Sequence, residues 1–151
     1  MPSEIEMLRN LNVNIANKES EGNVDYFTAL LAPKFAMHRA NGEFNDRDDF
    51  LEAVKKSPER RTQNVSVTMY GDTTAIVSCI VLFPVGPQAK RFHNLRLFTR
   101  SDAGREWQLL AWSNESSPIL WPESEGRPKE ARRCGTSTFN SATTSSSNPL
   151  T

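Results

Sequence analysis

Hydrophobic and polar positions change period along this chain. Ile5, Leu8, Leu11 and Ile15 recur at three- and four-residue steps, the spacing of one helical face, and Ser3 with Glu6 has the capping-box pattern. A first helix is therefore expected to run to about Lys18. After the "ESEGN" break, Asn23 can cap a second helix striped by Phe27, Leu30 and Leu31, and Pro33 is expected to end it. A third helix is expected from Asn45 or Asp46. It buries Phe50, Leu51 and Val54, places Lys55 and Lys56 at the negative end of its dipole, and stops before Pro58.

Between and after these helices the pattern shortens to period two. "KFAMHRANGEFN" carries Asn41-Gly42 between two short arms, a tight-hairpin signal, with His38 and Arg39 on the first arm. "NVSVTMYGDTTAIVSCIVLFPV" turns at Gly71-Asp72, and its second arm is apolar on both alternating faces, as in a central strand covered on both sides. Residues 90 to 100 and 105 to 114 complete an antiparallel meander through the "SDAG" loop. Alternation puts Phe92, Asn94, Arg96, Phe98 and Arg100 on one face and His93, Leu95, Leu97 and Thr99 on the other. Two helices, a hairpin, a third helix and four longer strands make an α+β fold with helices on one face of a curved antiparallel sheet.

Composition narrows the function classes. The 151 residues fit one domain, and 18 Lys and Arg balance 18 Asp and Glu, so the basic excess that drives binding to nucleic-acid backbones is absent. The longest nearly unbroken apolar run, "AIVSCIVLFPV", is too short for a membrane span, and "MPSEIEMLRN" has no apolar stretch of a secretion signal. Neither nucleic acid nor membrane is expected as a partner, and a cytoplasmic location is expected. Cys79 lies in an apolar run and Cys134 in a polar one, which suggests neither a disulfide framework nor a metal knuckle. With no phosphate-binding glycine loop and no nucleophile elbow either, no metal or cofactor is expected.

From about residue 3 to 115 the chain resembles the nuclear transport factor 2-like superfamily, especially the branch with polyketide-cyclase-like proteins and the calcium/calmodulin-dependent kinase association domain. The resemblance is carried by "YFTALLAPKFAMHRANGEFNDRDDFL" and, more specifically, by "NLRLFTRSDAGREWQLLAW". It implies a cone, in which a bent antiparallel sheet wraps the three helices of the N-terminal half. A cavity then lies between the concave face and the helices, and the convex face often forms a dimer interface. In the kinase association domain the arginine matching Arg96 points into the cavity. By that carry-over Arg96 and Asn94 are pocket residues, and Phe98 shares their face. Trp112 on the following strand and Tyr26 on the second helix are further candidates for ligand contact, although both also fit plain core packing. Periodicity alone leaves Arg96 open between an exposed position, one side of a salt bridge and a pocket group.

Enzymes of the superfamily generally place a carboxylate or a His-Asp pair inside the cone. Here the segments 64 to 71, 73 to 85 and 90 to 100 hold no Asp or Glu, so the catalytic candidate is His38, an imidazole being the side chain suited to acid and base work near neutral pH. A satisfied or half-exposed strand histidine is the plainer alternative. The functional expectation is a small-molecule-binding module, homodimeric, whose cavity takes a small apolar or amphipathic ligand with an acidic or carbonyl group facing Arg96. An isomerase, dehydratase or cyclase acting on a small hydrophobic substrate through His38 is the alternative, and a pure dimerisation module is a third. Residues 1–122 form the expected domain, with Ile119, Leu120 and Trp121 as a last apolar cluster. Residues 123–151, rich in Ser and Thr, are expected to be a disordered tail.

Overall fold

The computed structural model describes residues 2–116. The domain boundary at residue 122, the cluster Ile119 to Trp121, Cys134 and the tail from residue 123 lie outside the described residues. The elements are α1 (Glu4–Glu21), α2 (Val24–Leu30), β1 (Leu31–His38), β2 (Phe44–Asp46), α3 (Arg47–Ala53), β3 (Arg61–Tyr70), β4 (Thr74–Phe83), β5 (Lys90–Thr99) and β6 (Gln108–Ser116).

Local chemistry sets the helix ends. The Ser3 hydroxyl accepts from the Glu6 amide at 3.2 Å, and Gly22 closes α1 in the left-handed region at φ 71°. A Cβ at Gly22 would stand 2.4 Å from the backbone nitrogen of Lys56, so the end of α1 needs glycine for space as well as for φ. Asn23 caps α2, and Asp46 and Asp49 form a reciprocal capping box on α3. Two boundaries depart from the sequence reading. The chain passes from α2 straight into β1, so Pro33 sits within the strand, in the stretch between Leu31 and Ala36 where the register of β1 on β6 shifts. α3 ends at Ala53 with Val54 as its cap, which leaves Lys55 and Lys56 beyond the helix.

The strands form one curved, unclosed six-stranded sheet in the order β2-β1-β6-β5-β4-β3. The α+β class holds. The sheet is mixed, not wholly antiparallel, because β1 pairs with β6 in parallel while every other pairing is antiparallel. Register fixes the two faces. Met37, Trp112, Arg96 and Val77 lie side by side across four strands, and one residue along lie His38, Ser113, Leu95 and Ser78. The first row is buried beneath the helices; in the second, His38, Leu95 and Ser113 are exposed. Alternation thus converts a one-residue step into a change of environment. The core gathers on the inner face, where the rings of Phe27, Phe35 and Trp112 each pack on Phe50 with centroids 5.1 to 5.6 Å apart.

Candidate functional site

Arg96 occupies the middle of β5, between Val77 of β4 and Trp112 of β6, and is 1% exposed. Its partners are neutral. One terminal nitrogen donates to the Asn12 side-chain oxygen at 2.7 Å and the Asn12 carbonyl at 3.3 Å, and the other donates to Asn94 Oδ1 at 3.4 Å. The guanidinium carbon lies 4.1 Å from the Trp112 ring centroid, a cation–π geometry, and the Trp112 indole N–H donates to the same Asn94 oxygen. Asn12 in turn donates to Cys79 Sγ at 3.3 Å. A guanidinium has five N–H groups. Three are used, and Nε has no hydrogen-bond partner among the described residues.

Such a burial is costly, since a desolvated cation loses several kcal/mol and is offset only by its contacts. Burial is accordingly the main influence pushing Arg96 below the ordinary arginine pKa. The fields of Cys79, Glu19 and Tyr26 oppose that shift, and the charge of Arg60 adds to it. Arginine is not deprotonated in proteins, so the group is a cation at neutral pH. The outcome is a buried positive centre held by amides, without an ion pair to a carboxylate among the described residues.

A cleft of about 250 Å³ opens beside it. Arg96, Asn94 and Trp112 line it from the sheet, Val81, Phe83 and Phe92 supply apolar wall, and Arg39, Arg60 and Glu19 add charge. Arg39 donates through Nε to the Asn45 side chain. Arg60 lies 4.2 Å from the Phe83 ring centroid and pairs with Glu19 at 3.4 Å.

Arg96, Asn94 and Trp112 are therefore together at one cleft. Phe98 is fully buried in the apolar core and does not line it, although it shares the inner face. Tyr26 is half-buried and packs edge-on against Phe27 at 5.3 Å, also away from the lining. His38 requires a correction. It lies in the exposed row beside Ser113, one residue out of step with Met37, so it faces the side of the sheet opposite Arg96. It borders an outer groove with Phe44, Leu95 and Leu97 instead. The sequence reading missed Asn12 and Glu19, although both fall on the α1 stripe: Asn12 follows Leu8 by four, and Glu19 follows Ile15 by four. Arg39 and Arg60 sit at connections between elements, where periodicity carries no signal.

No family model and no curated protein matches the chain. Solved structures do. An NTF2-like protein from Cytophaga hutchinsonii is 14% identical with a TM-score of 0.67, covering 77% of this chain and 100% of that one. The CaMKII hub of S. rosetta is 21% identical with a TM-score of 0.61, covering 78% and 100%. A ketosteroid isomerase-like protein from Parabacteroides distasonis is 9% identical with a TM-score of 0.63, covering 79% and 92%. The chain thus has the nuclear transport factor 2-like fold, one shared by isomerase-like, hub and NTF2-like proteins.

Proposed function

We propose that the chain is a small-molecule-binding module whose cleft takes a small apolar or amphipathic molecule, with its acidic or carbonyl group directed at Arg96. The observation that carries this reading is a buried guanidinium with neutral partners and unused N–H groups beside a cleft. A purely structural arginine at that depth is normally matched by a carboxylate. The cleft volume of about 250 Å³ lies just under the roughly 300–1,000 Å³ usual for drug-sized ligands, which favours a compact occupant. The aromatic wall supplies the apolar contact such a ligand needs. Calorimetric titration with short-chain carboxylates tests the reading: wild type binds, and Arg96→Met weakens binding by about 2–5 kcal/mol. Equal affinity in the two proteins overturns it.

A second reading, self-association, has its own support. The outer sheet face holds an apolar groove of about 330 Å³, with Leu95 49% and Phe44 65% exposed. Among the solved structures of this fold is one named a hub. A two-fold homodimer buries such a surface. Sedimentation is expected to give a dimer in wild type and a monomer in Leu95→Glu. The enzymatic alternative lacks its proposed acid/base at the cleft, because His38 faces the other side of the sheet. No helix among the described residues is long and apolar enough to cross a membrane, and we keep the cytoplasmic location as part of the proposal.

A further inference from the structure

We propose that Glu19 is a built-in competitor for the ligand of the cleft: its carboxylate covers the charge of Arg60, and an acidic ligand binds by displacing it. This rests on the ligand-binding reading above and adds a regulatory element to the same site.

Three arginines and one glutamate contribute charge to the lining. The glutamate stands in an unfavourable place. It lies in the last turn of α1, where the exposed carbonyls make the helix end negative and disfavour a carboxylate. Something else must hold it there, and Arg60 does, at 3.4 Å, with the two side chains 16% and 15% exposed. That separation is longer than the roughly 2.7–2.9 Å of a strong charge-assisted hydrogen bond, so the pair is loose.

Arg60 does not depend on Glu19 for its position. One terminal nitrogen donates to Ser57 Oγ at 2.7 Å and Ser20 Oγ at 3.0 Å, and the guanidinium rests on the Phe83 ring. If Glu19 swung away, Arg60 would stay in place with its charge uncovered. Asn12, Ile15 and Glu19 are spaced by three and four along one face, so a single helix carries both the amide that holds Arg96 and the acid that covers Arg60. The fields of Glu19 and Arg60 both reach Arg96, which places these three charges in one electrostatic unit. A ligand of the class expected, a short organic carboxylate with an apolar body, meets a cleft whose second cation is occupied by an internal carboxylate. Its affinity is thereby lowered, and specificity shifts towards anions able to outcompete a glutamate.

The test uses the full chain and measures binding of butanoate and hexanoate by calorimetry, with inorganic phosphate for comparison. Glu19→Gln keeps the side-chain shape and removes the competing charge; it is expected to tighten carboxylate binding about three- to tenfold. Arg60→Met is expected to weaken binding, and in that background Glu19→Gln should give no further gain. A gain that persists without Arg60 means that Glu19 acts through its general field, which overturns the competition. If Glu19→Gln binds no tighter than wild type while Arg96→Met still abolishes binding, this inference fails and the ligand-binding reading stands. If Arg96→Met binds as wild type does, or if neither wild type nor Glu19→Gln binds any of the three probes, both fail together. Matching melting temperatures for Glu19→Gln and wild type show that the comparison is between folded proteins.

Discussion

Arg96 and Arg100 invite comparison, because each lays its guanidinium 4.1 Å from an indole ring centroid, one within β5 and the other just past its end. Their other partners differ. Arg100 donates to the Asp72 carbonyl at 2.8 Å, pairs with Glu4 at 3.2 Å, and Glu4 also accepts from the Trp107 indole at 3.2 Å. That cluster ties the start of α1 to the β3–β4 and β5–β6 turns, which lie at the same end of the sheet, and its charges balance. Arg96 has amides and a backbone carbonyl where Arg100 has a carboxylate. The same stacked pair is a clamp in one place and leaves positive charge available in the other. What separates the two is the partner contributed by α1: Glu4 at one end, Asn12 in the middle.

Four experiments test that contrast, taken from the largest expected effect. Arg96→Met should weaken a short-chain carboxylate by about 2–5 kcal/mol in a calorimetric titration, whereas Arg100→Met should leave affinity as it was. Asn12→Leu should lower stability in chemical denaturation by about 2–3 kcal/mol, since it strips a buried cation of its shortest hydrogen bond. Combining it with Arg96→Met should restore most of that loss, because the cation and its amide leave together; simple additivity would contradict this account. Arg100→Met should cost about 1–2 kcal/mol, discounted because Glu4 is partly exposed and regains water, and high salt should narrow the difference from wild type.

The smallest effect is a titration. Burial chiefly raises the Tyr26 pKa above the usual tyrosine value, with the Asn14 side chain and the Arg96 charge pulling it back. The fold therefore favours the neutral phenol. Its contribution to stability is intact below the unfolded value of about 10 and is lost as pH rises through the folded one. Removing the positive charge in Arg96→Met should move the onset of tyrosinate absorbance still higher. Tyr26→Phe identifies that step by its disappearance.

How far the sequence foretold this contrast depends on the range of the interactions involved. Helix starts were legible because Ser3, Asn23 and Asp46 bond amides within three residues. The two faces of β5 were legible because alternation is local, and Arg96, Asn94 and Trp112 do reach one cleft. His38 was misplaced because its face depends on the register of β1 against β6, and those strands meet across some seventy residues of sequence. The parallel pairing was hidden for the same reason. Asn12 was missed although it falls on the apolar stripe of α1, four residues after Leu8, where a polar side chain is itself the sign of a buried partner.

That same parallel pairing bears on the order of assembly during synthesis. β1 emerges early, but apart from the three residues of β2 its only sheet neighbour is β6, the last strand of the described domain. The N-terminal third must wait, unpaired on one long edge, until β6 arrives to close the gap. Closure of the sheet is thus deferred until β6 has emerged, and the same strand that delivers Trp112 beneath Arg96 also joins β1 and β2 to β3, β4 and β5.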